Sequence, residues 1–161
     1  MATNRIKIGM GEGAVARGPE VLSSAGIGSC VVVTLYDAAR KTGGMAHVML
    51  PDSAALPEPV GPFVCADTAV GALLGGLLGQ GSLLQDLVAK IVGGAGMFAA
   101  YGSESSGIGG QNLRAVRDIL QRERIPLAGW DVAGNHGRSV EFHLATGSLI
   151  VQALGATDKV V

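Results

Sequence analysis

Aromatic side chains are scarce in this chain, with one Trp, two Tyr and three Phe among 161 residues. The core therefore has to be built from Val, Leu, Ile and Ala. Hydrophobic residues reach 48% of the chain, which excludes intrinsic disorder. Charge is sparse too, at 16%, and the 12 Lys and Arg against 13 Asp and Glu leave a formal net charge of −1. No basic stripe exists for a nucleic-acid backbone or an anionic membrane surface. Long apolar runs are missing as well. The longest uncharged stretch, Thr68 to Gln85, is broken by Gly71, Gly75, Gly76, Gly79 and Gly81, so it reads as a buried glycine-rich helix and not as a bilayer span. Met1 to Met10 lacks the apolar centre and small-residue cleavage site of a secretory signal. With only two cysteines, Cys30 and Cys65, in unlike surroundings, a disulfide framework is not expected, and the reading is of reduced thiols in a cytoplasmic protein. CxxC and HExxH are both absent and the three histidines are scattered, so neither a metal site nor another cofactor is expected.

Glycine is abundant, at 26 residues, with no three-residue period, which implies many tight turns. The length fits one domain over residues 1–161. Arg5 to Ile8, Val31 to Tyr36, Met45 to Leu50, Leu87 to Val92 and Leu127 to Val132 read as strands, and Val140 to Leu144 with Ser148 to Leu154 read as a terminal hairpin. Asp67 is placed to cap a helix that turns Val70, Leu73, Leu74, Leu77 and Leu78 to one face. A glycine-rich loop is expected from Gly93 to Gln111, followed by an amphipathic helix from Asn112 to Arg124 carrying Leu113, Val116, Ile119 and Leu120. The tally predicts an α/β layered sandwich, with a mostly antiparallel or mixed sheet and two main helices.

The turn Gly26-Ile27-Gly28-Ser29-Cys30 sets a thiol at the mouth of a buried strand, where backbone amides of Ser29 and Cys30 can converge on an oxyanion. A thiol near its ordinary pKa is little ionised at neutral pH and needs a basic neighbour to act as a nucleophile. His47 is the candidate. If Asp37 to Arg40 form the hairpin turn, Cys30 and His47 become direct cross-strand partners on one face. The competing reading stays open at this point, because free cysteines are commonly buried for packing alone and strand-borne histidines commonly just hydrogen-bond. Cys65 reads as a packing residue, and His136 and His143 as surface residues. The GxGxxA string from Gly9 to Ala14 lacks a following helix, since Arg17, Gly18 and Pro19 interrupt it, so dinucleotide binding has weak support.

Six blocks, GIGSCVVVTLYD (26–37), GGMAHVMLPDS (43–53), ADTAV (66–70), KIVGGAGMF (90–98), IGGQN (108–112) and GRSVEF (137–142), resemble in order the chemoreceptor glutamine deamidase family, CheD. The resemblance implies papain-like Cys-His hydrolase chemistry on a fold similar to the catalytic domain of the cytotoxic necrotizing factor toxins. It implies Cys30 as nucleophile and His47 as general base. The family's third catalytic position, often Thr, falls on Ser24, which keeps the hydroxyl with less restriction at χ1. The implied reaction converts receptor glutamines to glutamate, with possible hydrolysis of glutamyl methyl esters through the same thioester. The implied partners are methyl-accepting chemotaxis receptors and, where present, a CheC-type phosphatase. A regulatory module that docks onto these partners is the alternative expectation, and a thiol amidase or peptidase acting on another protein is a third.

Overall fold

Strand β4 (Val31–Asp37) is the axis of the molecule, and all seven of its residues are buried. Its β-branched side chains suit a strand covered on both faces. The computed structural model describes residues 3–96 and 107–161. β4 pairs antiparallel with β5 (Thr42–Val48) on one side and with β6 (Leu87–Gly93) on the other. β2 (Gly13–Arg17) and β7 (Leu127–Val132) extend this sheet to the order β2-β5-β4-β6-β7, in which only the β6–β7 pairing is parallel. A second sheet has the order β1-β3-β8-β9-β10, formed by Arg5–Lys7, Val21–Ile27, Arg138–His143, Ser148–Gln152 and Lys159–Val160. Its β1–β3 pairing is parallel and the rest antiparallel. Among the described residues, two mixed sheets and two α-helices thus make up an α/β architecture.

Alternation along β4 assigns the layers. Val31, Val33 and Leu35 share a core with Leu73 and Leu77 of α1 (Ala66–Gly79) and with Leu113, Val116 and Leu120 of α2 (Ile108–Arg122). Val32 and Tyr36 point the other way, into a core shared with Leu22, Val140, Phe142 and Leu149 of the second sheet. The order is therefore sheet, sheet, helices. Phe142 is fully buried and meets Tyr36 edge to face with ring centroids 5.6 Å apart. Phe142 is the largest fully buried side chain among the described residues, and Phe142→Ala is expected to cost about 3–5 kcal/mol. Urea unfolding of the two proteins measures it.

Several elements depart from the sequence expectation. β2 and β3 are strands that local preference does not predict, since GAVAR and VLSSAGI are rich in Gly, Ala and Ser, which have little strand propensity. The first helix starts at Ala66, with Cys65 at its N-cap and no side-chain capping bond. Asp67 lies inside the first turn, where its carboxylate accepts from Ser53 N and Ser53 Oγ. Leu78 is exposed, so the buried face is Ala66, Ala69, Val70, Leu73 and Leu77. The second helix begins at Ile108 and takes in Gly109 and Gly110; residues 97–106 of the expected glycine-rich loop lie outside the described residues.

Candidate active site

The β4–β5 hairpin corrects the expected register. Asp37 pairs with Thr42, so the turn is residues 38–41, and His47 faces Val32, not Cys30. The reason lies in Asp37, which belongs to the strand and not to the turn that its residue type suggests. Its fully buried carboxylate accepts from Ser82 Oγ at 2.7 Å, Arg40 Nη1 at 2.9 Å and Arg40 N at 3.2 Å, which holds it as the last strand residue. Lys41 then closes the turn in the left-handed region, at φ 51°.

The shift is two residues, and two is the period of a strand. Cys30 lies two positions before Val32, and its carbonyl still accepts from Gly94 N at 2.8 Å, which carries the β4–β6 ladder one step further. Cys30 stands one residue before β4, in a bend, so direct pairing with His47 is lost; strand alternation carried one step past the strand start would set the two residues diagonally, about 7–8 Å apart between Cα atoms by ordinary strand geometry. The close approach of the neighbouring strand requires glycine at 93. This residue has φ 114°, and a Cβ there would strike the Cys30 carbonyl and the Ile27 side chain.

His47 is fully buried in the layer between the two sheets. Ser24, on β3, reaches it from the other sheet, with Oγ 2.8 Å from Nδ1. The same hydroxyl donates to the Ile8 carbonyl at 2.6 Å. A serine hydroxyl has one proton, and a carbonyl can only accept. Ser24 therefore accepts from Nδ1–H, which leaves the lone pair of His47 on Nε2. Nε2 is buried and has no hydrogen-bond partner among the described residues, Cys30 included. Burial also pushes the imidazole below its ordinary pKa, so His47 is neutral at neutral pH. The half-buried Cys30 thiol is pushed up by burial, partly offset by a hydrogen bond from its own backbone N–H. The pair is a neutral thiol and a neutral imidazole, and a proton has to move before the sulfur can attack.

Asn112 is a site residue that the sequence does not single out. It is fully buried on α2, and its Nδ2 donates to the Ser29 and Met49 carbonyls, each at 3.0 Å. Its only signal in the sequence is its place at the end of the IGGQN block, where the expected helix starts. The other candidates fall where expected. Cys65 is fully buried, its thiol pushed up by burial and by Asp67 and Asp52. His136 is exposed, and His143 is partly exposed beside Glu141 at 3.3 Å. The Gly9–Ala14 string is a turn leading into β2, and Gly9 N donates to Glu12 Oε1 at 2.7 Å. Among the described residues no helix is long and apolar enough to cross a membrane.

A family model described as CheD chemotactic sensory transduction matches residues 49–153, well over half of the chain. The chain belongs to the CheD family. Its CheD relatives include the chemoreceptor glutamine deamidase CheD of Thermotoga maritima, 43% identical over 152 residues and aligned over 94% of each chain. They also include the probable chemoreceptor glutamine deamidase CheD of Moorella thermoacetica, 40% identical over 158 residues, covering 97% of this chain and 95% of the relative. Among solved structures, the Bacillus licheniformis hypothetical protein YfiH is similar with a TM-score of 0.48 and 15% identity, over 76% of this chain and 50% of that one.

Proposed function

We propose that this CheD-family chain is a cysteine-dependent deamidase that converts specific glutamines of methyl-accepting chemotaxis receptors to glutamate. The observation that carries the reading is His47: Nδ1 is engaged by Ser24, Nε2 is left buried with a free lone pair, and the ring faces Val32, two residues after Cys30. A relative 43% identical over nearly its full length bears the name chemoreceptor glutamine deamidase, which supports the substrate class. Papain-like chemistry on a sandwich akin to the cytotoxic necrotizing factor catalytic domain is part of the same proposal.

In the proposed mechanism His47 Nε2 takes the thiol proton as Cys30 Sγ attacks the carboxamide carbon of the bound glutamine. The developing oxyanion accepts hydrogen bonds from the backbone amides of Ser29 and Cys30. The imidazolium returns its proton to the amide nitrogen, the C–N bond breaks, and ammonia leaves behind a γ-glutamyl thioester. His47 then deprotonates a water molecule that attacks the thioester. Collapse releases glutamate and restores the thiol. A glutamyl methyl ester would enter the same thioester with methanol as leaving group, so methylesterase activity follows from the chemistry. Docking onto a CheC-type phosphatase is supported by the family resemblance.

The test is incubation with a purified chemoreceptor cytoplasmic domain, with ammonia release and the amide-to-acid mass change read together. Free glutamine and a glutamine peptide serve as comparisons. Conversion of the receptor domain alone is expected. Conversion of all three points to a general thiol amidase, and binding without conversion to the regulatory-module alternative. Ser24 has its own prediction. Ser24→Ala leaves Nδ1–H buried without an acceptor, a defect of about 1–3 kcal/mol, so kcat should fall roughly 10–100-fold. Ser24→Thr, which restores the hydroxyl, should stay near the unsubstituted rate.

A further inference from the structure

We infer that Asn112 is a positioning residue that aims the oxyanion-binding amide of Cys30. This rests on the deamidase reading and deepens it. Asn112 stands on α2, on the far side of the central sheet from Ser24, and its two Nδ2 protons go to two main-chain carbonyls. One belongs to Ser29, immediately before the nucleophile, and the other to Met49, two residues after His47. A single side chain thus ties together the segments that carry the thiol and the imidazole.

The Ser29 carbonyl and the Cys30 N–H are one peptide unit. That unit is planar and trans, so its C=O and N–H point in opposite directions. Anchoring the carbonyl toward α2 turns the Cys30 N–H away from the helix, toward the side of the sheet where His47 lies. An oxyanion on a carbon bonded to Sγ would form within reach of that N–H, as where a nucleophile's own backbone amide serves as an oxyanion donor. A hydrogen bond to the carbonyl also polarises the peptide and strengthens the opposite N–H as a donor. Asn112 is fully buried, and its Oδ1 has no partner among the described residues. A buried unpaired acceptor is costly, so the side chain's two donor bonds are its structural contribution at this position.

The experiment separates this role from general support of the fold. Alkylation of Cys30 by iodoacetamide needs the sulfur but forms no oxyanion, whereas amide hydrolysis needs both. Asn112→Asp keeps the shape and removes both donors. It is expected to lower kcat for the receptor domain about 100-fold or more, the scale of losing one oxyanion donor, with KM within about threefold. Iodoacetamide alkylation of Cys30, and its pH dependence, should stay close to those of the unsubstituted protein. If Asn112→Asp fails to fold, Asn112→Ser, which keeps one donor, carries the same comparison. Parallel loss of alkylation and hydrolysis, or loss of neither, overturns the inference. A folded, unsubstituted chain that alkylates normally but leaves the receptor domain unconverted overturns the deamidase reading itself, and the inference with it.

Discussion

Cys30→Ala is expected to abolish ammonia release from the receptor domain, by roughly 10⁴-fold or more, the order seen when a covalent nucleophile is removed. Alanine keeps the β-carbon and deletes only the sulfur, and Cys30 is half-buried in a turn outside the main strands, so stability should change little. Cys65, the second thiol, is fully buried at the start of α1, where burial and two nearby carboxylates disfavour its thiolate. Cys65→Ala, which removes only a buried sulfur with a disfavoured thiolate, should therefore cost turnover far less than Cys30→Ala. Comparison of the two single variants in one assay assigns the nucleophile. Undiminished turnover by Cys30→Ala would refute the nucleophile assignment, and loss in Cys65→Ala alone would move it to the other thiol.

Much of this arrangement is legible in the residues. The β-branched run 31–36 predicts a buried strand, and it is one. Leu113, Val116, Ile119 and Leu120 predict the inner face of the second helix and are all buried there. What escapes depends on contacts between residues far apart in the chain. The hairpin register turns on a buried Asp37 whose partner Ser82 lies 45 residues away, and nothing local distinguishes that carboxylate from an ordinary turn aspartate. Strand β3 is hidden because its serines look like loop residues until Ser24 is seen to hydrogen-bond across the sandwich. Asn112 is hidden for the same reason. A polar residue on the inner face of an amphipathic helix breaks the pattern, and its two carbonyl partners belong to segments 83 and 63 residues distant. The residues that interrupt a local pattern here are those that gather at the candidate site, as expected where function departs from the rules of foldability.

His47→Ala should lower kcat/KM at least ~100-fold, the lower range for loss of a general acid–base, and it should also change the shape of the pH profile. In the folded protein burial holds the imidazole below its ordinary value. As pH falls, activity should persist below the pH at which a free histidine takes up its proton, then drop as Nε2 is protonated and can no longer accept from the thiol. The sign for stability follows the same shift. The unfolded chain protonates His47 at a higher pH than the folded one does, so the contribution of the neutral buried ring is present above the unfolded value and is lost as pH falls through the folded value. Catalysis and stability thus share an acid limb. His47→Ala should remove the catalytic limb along with the rate, leaving a weak activity that rises with thiolate formation, itself displaced upward by the burial of Cys30. Measurement of kcat/KM against pH for both proteins decides the matter. A mild loss would require another base. An unchanged acid limb in His47→Ala would show that the titrating group lies elsewhere, in which case the Ser24 hydrogen bond would hold a structural histidine and not a catalytic one.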